Sequence, residues 1–147
     1  MINVADNFWN IRGSFKVGGV LDIGTQCSLV RLANGRFVFL DAYTLSDEVA
    51  AEVASLTDNG ASIDAIINLH PFHTLHVAAM HERYPNAQLY GTRRHIERLP
   101  ELPWQPELCE SAELRAHFAE DFDFSIPAGV DFISANPNLH FSSVLAM

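Results

Sequence analysis

The alternation of apolar and polar residues predicts a β-hairpin in the first third of the chain. Residues 27–32 (CSLVRL) and 37–43 (FVFLDAY) are rich in β-forming side chains, and Asn34-Gly35 stands between them. An Asn-Gly pair favours a two-residue type I′ turn, because both central residues of that turn have positive φ. We expect the second strand of this hairpin to end at Asp41.

Helical and strand patterns then alternate as far as residue 92. Apolar residues recur at helical spacing behind Ser46, which is expected to cap the helix, and IDAIINL is a β-branched run typical of a strand buried on both faces. The expected elements are an opening strand in 14–23, the hairpin, a helix over 46–58, a strand over 63–69, a helix over 74–83 and a strand over 87–92. This order predicts an α/β architecture with right-handed crossovers.

The C-terminal third has a weaker pattern. Residues 99–107 contain three prolines and predict a loop, and residues 111–120 have the cap and period of a helix. Residues 129–147 predict two strands joined by a turn, and the sequence ends inside the second of them. We therefore expect a single domain over 1–147 that is incomplete at its C-terminus, or whose last strand is completed by a second copy in a homo-oligomer.

Composition and charge exclude several classes of protein. The net charge of −9 with no basic cluster argues against nucleic acid as a partner. The N-terminus lacks the pattern of a signal peptide, and no apolar run approaches the ~20 residues of a membrane span. Cys27 and Cys109 form no CxxC pair, and free thiols in a reducing compartment are the simpler expectation. These features predict a soluble, cytoplasmic protein with no membrane partner.

Four of the seven histidines fall in residues 66–81, at His70, His73, His76 and His81. The first three follow the expected buried strand, at the kind of position where side chains of α/β proteins converge on a crevice. Imidazole is a common ligand of zinc and of related metals, so three such side chains predict a site for zinc or another divalent transition metal. The alternative is that they cap helices or bind backbone groups without a metal.

The stretch from Val30 to Thr92 resembles the first half of the metallo-β-lactamase fold superfamily. In that family a hairpin strand ending in Asp precedes a helix, a buried strand, a His-x-His-x-Asp-His loop, a second helix and a short strand. Here FVFLDA ends in Asp41, IDAIINL matches the buried strand, and HPFHTLH takes the place of the loop. NLHFSSVL resembles a later family segment that contains a metal-binding His, which matches His140.

This resemblance implies an αββα layered sandwich and a metal bound by four residues: His70, His73, His76 and His140. HPFHTLH matches the family loop only with one inserted residue, and no alignment supplies the loop's Asp. In the family that Asp belongs mainly to the second metal, so a two-metal site is not expected.

Three functional hypotheses follow. The first is a metal-dependent hydrolase of a small-molecule substrate, in which the metal lowers the pKa of its bound water to about 7. The second is an inactive member of the fold that acts as a sensor or interaction module. The third is a thiol-dependent enzyme that uses Cys27 or Cys109.

The other candidate residues are expected to have structural roles. Asp41 is expected to orient the histidine segment, His81 to be solvated on a helix, and His95 and His117 to lie at the surface.

Overall fold

The structure is a computed structural model that describes residues 1–128, 132 and 143–147 of the chain. The strands and helices are, in order, β1 (Ile2–Ala5), β2 (Phe8–Gly13), β3 (Lys16–Val17), β4 (Leu21–Asp22), β5 (Thr25–Arg31), β6 (Phe37–Leu40), α1 (Asp47–Leu56), β7 (Ile63–Ile67), α2 (Val77–Arg83), β8 (Gln88–Tyr90), α3 (Arg93–Arg98), α4 (Ala112–His117), β9 (Phe124–Ser125) and β10 (Leu145–Ala146).

A six-stranded mixed sheet forms the centre of the fold, in the order β1-β2-β5-β6-β7-β8. The first four strands in this order pair antiparallel, and β6, β7 and β8 run parallel. Helix α1 connects β6 to β7, and α2 connects β7 to β8. The structure therefore confirms the α/β class, the β5–β6 hairpin and the buried parallel strand that the sequence predicts.

The turn of the β5–β6 hairpin is of a different type from the one predicted. Gly35 has a φ of 83°, whereas Asn34 has no positive φ. The Gly35 N–H donates to the Leu32 carbonyl at 2.9 Å, and the Leu32 N–H donates to the Arg36 carbonyl at 2.8 Å. This is a three-residue loop ending in one left-handed glycine. The Asn34 side chain accepts a hydrogen bond from the Arg36 N–H at 2.8 Å, which stabilises the longer loop.

Strands β1 and β2 form an N-terminal hairpin that the sequence pattern did not predict. Strand β2 pairs along its whole length with β5, from Phe8 opposite Val30 to Gly13 opposite Thr25. Only one of its six residues, Ile11, is buried, so an alternation of apolar and polar residues is weak there. The opening strand expected in 14–23 is instead a small β3–β4 hairpin.

The two faces of the central sheet carry separate apolar clusters. In β6, Phe37 and Phe39 belong to one cluster and Val38 to the other, as the alternation of a strand requires. The side chains that cover the sheet include Val53 of α1 and Met80 of α2 on the first face, and Leu114 of α4 and Phe124 of β9 on the second. Both faces are therefore buried, which explains the apolar character of β7.

The helices begin and end close to their sequence signals, with two exceptions. The Ser46 hydroxyl accepts a hydrogen bond from the Val49 N–H, and Ser111 caps α4 in the same way. Helix α2 begins at Val77, three residues later than expected, because residues 70–76 form a separate turn-rich segment. Helix α3 was not predicted at all.

The described C-terminal residues pack against the sheet. Strand β10 pairs antiparallel with β9, and the Val144 N–H donates to the Leu69 carbonyl at 3.1 Å, beyond the end of β7. The expected turn at 136–138 and the candidate ligand His140 lie outside the described residues. The expectations of incompleteness and of a homo-oligomer stay predictions. Within the described residues, no helix is both long and apolar enough to cross a membrane.

We expect the Gly91→Ala substitution to lower the free energy of unfolding by about 1–3 kcal/mol, as overpacking does elsewhere. A Cβ at Gly91 would lie 2.6 Å from Cζ3 of Trp104 and 2.9 Å from Cβ of His95. Urea denaturation measures the change. In a Trp104→Leu background the same substitution should cost less, and an equal cost would show that the clash with the indole ring is not responsible.

Candidate functional site

Asp41 fixes the carboxyl ends of β6 and β7 relative to each other. Its Oδ1 accepts hydrogen bonds from the backbone N–H groups of Leu69 at 2.8 Å and His70 at 3.1 Å. Its φ of 60° lies in the left-handed region, which Asp tolerates better than most residues. Burial raises the pKa of Asp41, while the His70 hydrogen bond and nearby His73 act in the opposite direction. The predicted orienting role of Asp41 is confirmed by these contacts.

Residues 70–76, here called the histidine loop, follow this anchor. The His73 N–H donates to the His70 carbonyl at 2.9 Å, and His70 Nδ1 accepts a hydrogen bond from the Phe72 N–H at 3.3 Å. The imidazole rings of His70 and His73 stack, with their centroids 4.0 Å apart and their planes 13° from parallel. The loop therefore brings these two side chains together by stacking rather than by aiming them at a common point.

His76 lies at the end of the loop, immediately before α2. Its Nδ1 is 2.9 Å from Oγ1 of Thr44, and the ring of Tyr43 packs edge-on against it with a centroid distance of 4.9 Å. Its Nε2 is buried and has no hydrogen-bond partner within the described residues. Burial lowers the pKa of His76, and the nearby His73 lowers it further. Nδ1 of His76 is thus engaged by Thr44, and Nε2 is enclosed without a partner among the described residues.

The geometry of the histidine loop does not fit a shared metal. An imidazole binds a metal through a nitrogen lone pair in the ring plane, and the planes of stacked rings do not meet at one ion. Among residues 1–128, 132 and 143–147, no group of three or more His, Cys, Asp or Glu side chains is arranged to hold a metal. The ligand set of His70, His73, His76 and His140 therefore stays a prediction that requires the first two rings to separate.

The expectation that His95 lies at the surface is wrong, because its side chain lies in the interior near the histidine loop. It is fully buried in α3, and its Nδ1 lies 3.2 Å from the Thr92 N–H and 2.9 Å from Thr92 Oγ1. Burial is the main cause that lowers the pKa of His95 to about 4. A hydrogen bond with the His73 backbone raises this pKa, and the charges of the nearby His73 and His70 side chains lower it. The Thr-x-x-His spacing, which follows the pattern of a capping box, was the available signal.

The remaining candidates have ordinary structural roles. Cys27 and Cys109 are buried free thiols, and burial raises the pKa of Cys27 to about 12 and that of Cys109 well above its usual value. A nucleophilic cysteine needs a lowered pKa, so the thiol-enzyme hypothesis is not supported.

The two remaining histidines differ in exposure. His117 is exposed, as expected, whereas His81 is partly buried, with its Nδ1 enclosed.

A cleft of about 590 Å³ lies between the histidine loop and the β3–β4 hairpin. It is close to the carboxyl ends of β6 and β7, the usual position of ligand sites in α/β sheets. The residues that line it are Arg12, Gly13, Phe15, Ile23, Gly24, Thr25, Gln26, Ala42, Phe72, His73, Thr74, Leu75 and His76. Two of the three predicted loop histidines therefore line this cleft, and His70 stacks on one of them, His73.

Comparison with known proteins identifies the fold but not the activity. No family model and no curated protein matches the sequence. Among solved structures, 39 chains match. One is a metallo-β-lactamase from Erythrobacter litoralis with β-mercaptoethanol in its active site, which is 18% identical with a TM-score of 0.52. The match covers 72% of this chain and 47% of that one, so the chain spans about half the length of this neighbour. The likeness supports a metallo-β-lactamase-type fold.

We expect Asp41→Ala to lower the free energy of unfolding by about 2–4 kcal/mol, because it leaves two partly buried N–H groups without their acceptor. Asp41→Asn retains an oxygen at the same place and should cost less. Chemical denaturation of the two variants beside the wild type measures the difference. Equal losses would contradict the anchoring role of the Oδ1 atom.

The buried His95 predicts a loss of stability in acid. Its pKa in the folded protein, about 4, is below the ordinary value of 6.5, so the unfolded chain takes up a proton first as the pH falls. Stability is therefore complete above pH 6.5 and decreases toward pH 4, by up to about 3 kcal/mol.

The matched variants for this prediction are His95→Gln, which retains a capping-box residue but does not titrate, and His117→Gln at an exposed position. Urea denaturation between pH 7.5 and 4.5 should show a shallower decrease for His95→Gln than for wild type, and an unchanged one for His117→Gln. A wild-type slope in His95→Gln would exclude His95 as the source.

Proposed function

We propose that this protein binds a small molecule in the cleft between the histidine loop and the β3–β4 hairpin. The scaffold is a single metallo-β-lactamase-like layered domain, with α1 and α2 on one face of the sheet and α4 and β9 on the other. Ligand sites of proteins occupy about 300–1,000 Å³ and lie where parallel strands end, and the cleft meets both conditions.

The observation that carries this proposal is the stacking of His70 on His73 beside the cleft. Together with the hydrogen bond between His76 and Thr44, it gives the loop histidines a role in shaping the site without a shared ion. In this interpretation the protein acts as a sensor or interaction module, the second of the sequence-based hypotheses. Binding at a preformed cleft requires no rearrangement of these rings.

A metal-dependent hydrolase is the second candidate, and the fold likeness to a metallo-β-lactamase favours it. Its metal would be zinc or another divalent transition metal, with His70, His73, His76 and His140 as the ligands. For this function the His70 and His73 rings would have to turn out of their stack, whereas Nε2 of His76 has no bond within the described residues to give up. Because the stacked rings would have to rearrange, we rank the hydrolase below small-molecule binding without a metal.

Metal analysis of protein purified without added metal separates the two candidates. We expect no stoichiometric zinc, iron or manganese, and a melting temperature that neither a chelator nor added Zn²⁺ changes. About one equivalent of metal, stabilising by mass action and lost in a His73→Ala variant, would establish the hydrolase candidate instead.

Cleft binding itself is tested with phenylnaphthylamine, a neutral apolar dye that fluoresces when it leaves water. We expect saturable binding that Gln26→Trp abolishes, because the indole fills space at a residue that lines the cleft. Arg31→Trp, at an exposed position of the same strand that does not line the cleft, is the matched control and should leave binding unchanged. Equal binding by all three proteins would place the dye elsewhere and contradict the proposal.

A further inference from the structure

The charges around the cleft point to the class of its ligand. We propose that the cleft selects an amphipathic anion, a small molecule with an apolar body and one negatively charged group that pairs with Arg12. This inference rests on the proposed small-molecule binding at the same cleft and specifies its ligand.

The cleft differs in charge from the rest of the protein. The chain has 18 Asp and Glu residues against nine Lys and Arg, yet none of the described residues that line the cleft is acidic. Among the lining residues in the described part of the chain, Arg12 is the one Lys or Arg. An acidic protein repels anions over most of its surface, so a cleft whose described lining has an arginine and no carboxylate favours an anion at this place.

The Arg12 guanidinium is available for a ligand. Its Nε donates to Oδ1 of Asn10 at 3.1 Å, and the side chain is otherwise exposed at the end of β2. In the part of the chain that the structure describes, the ion pairs are Met1–Glu52 and Arg36–Asp64, and Arg12 takes part in neither. The terminal nitrogens of a guanidinium match a carboxylate, sulfonate or phosphate in a bidentate manner.

The carboxylates closest in sequence to the lining residues are already used by the protein. Asp22 accepts hydrogen bonds from Ser14 Oγ and from the N–H groups of Phe15 and Gly24, which lower the pKa of Asp22. Asp41 is buried beneath the histidine loop and binds the backbone there. Each carboxylate is held by its own hairpin or strand end rather than by Arg12.

Apolar side chains supply the surface for the rest of the ligand. Phe15 and Ile23 extend from the small hairpin and Leu75 from the histidine loop, with exposed fractions of 38%, 61% and 69%. Exposed apolar side chains grouped around a concave site indicate an apolar ligand. An aromatic or aliphatic body fits this surface, while its charged end reaches Arg12.

The test compares two dyes of the same shape. Anilinonaphthalene sulfonate carries one negative charge, and phenylnaphthylamine is the analogue without the sulfonate. We expect Arg12→Gln to weaken binding of the anionic dye about fivefold, the size expected for a largely exposed ion pair, and to leave binding of the neutral dye unchanged. Arg12→Lys should retain part of the anionic preference.

Arg98→Gln is the matched control, because Arg98 is also exposed and does not line the cleft. It should change the affinity for neither dye, and thermal melts should confirm that all variants are folded. Equal losses for Arg98→Gln and Arg12→Gln, or no loss for either, would overturn the anion inference. If the neutral dye still bound and Gln26→Trp still blocked it, the proposed function would stand without this inference. Failure of the neutral dye to bind in the cleft would overturn both.

Discussion

The hydrogen bonds from the Leu69 and His70 N–H groups to Asp41 are the interaction on which the architecture of the site depends. Strands β6 and β7 are neighbours in the parallel part of the sheet, and the Asp41 carboxylate extends their connection beyond the backbone bond from the Asp41 N–H to the Ile67 carbonyl. One carboxylate oxygen satisfies both backbone donors just beyond the end of β7. The position of the histidine loop, and of the cleft beside it, follows from this connection.

The histidine loop shows why a shared fold does not by itself transfer a chemistry. In this chain the loop is held by its own contacts: the His70–His73 stack, the hydrogen bond between His76 and Thr44, and Asp41 behind the strand end. Side chains that are used in this way hold a cleft in a defined shape. The fold likeness to a metallo-β-lactamase therefore supports the scaffold, and the site has to be argued from its own geometry.

Local signals in the sequence predicted the elements whose stability is local or whose burial is complete. Ser46 indicated the start of α1, Asn34-Gly35 indicated the hairpin, and the apolar run of β7 indicated a strand covered on both faces. Strand β2 was missed because it is stabilised chiefly by pairing with β5 and buries a single side chain. The turn type was wrong because the Asn34 side chain favours the longer loop.

The sequence by itself determined the α/β class, the order of the elements from β5 to β8 and the presence of several histidines after a buried strand. Hydrophobic periodicity and capping residues act within a few positions of the chain, and they are therefore readable without coordinates. Only the tertiary structure decided that His70 and His73 stack, that His95 is buried and that Arg12 reaches the cleft. Those properties depend on side-chain directions and on contacts between residues far apart in sequence, which spacing does not specify.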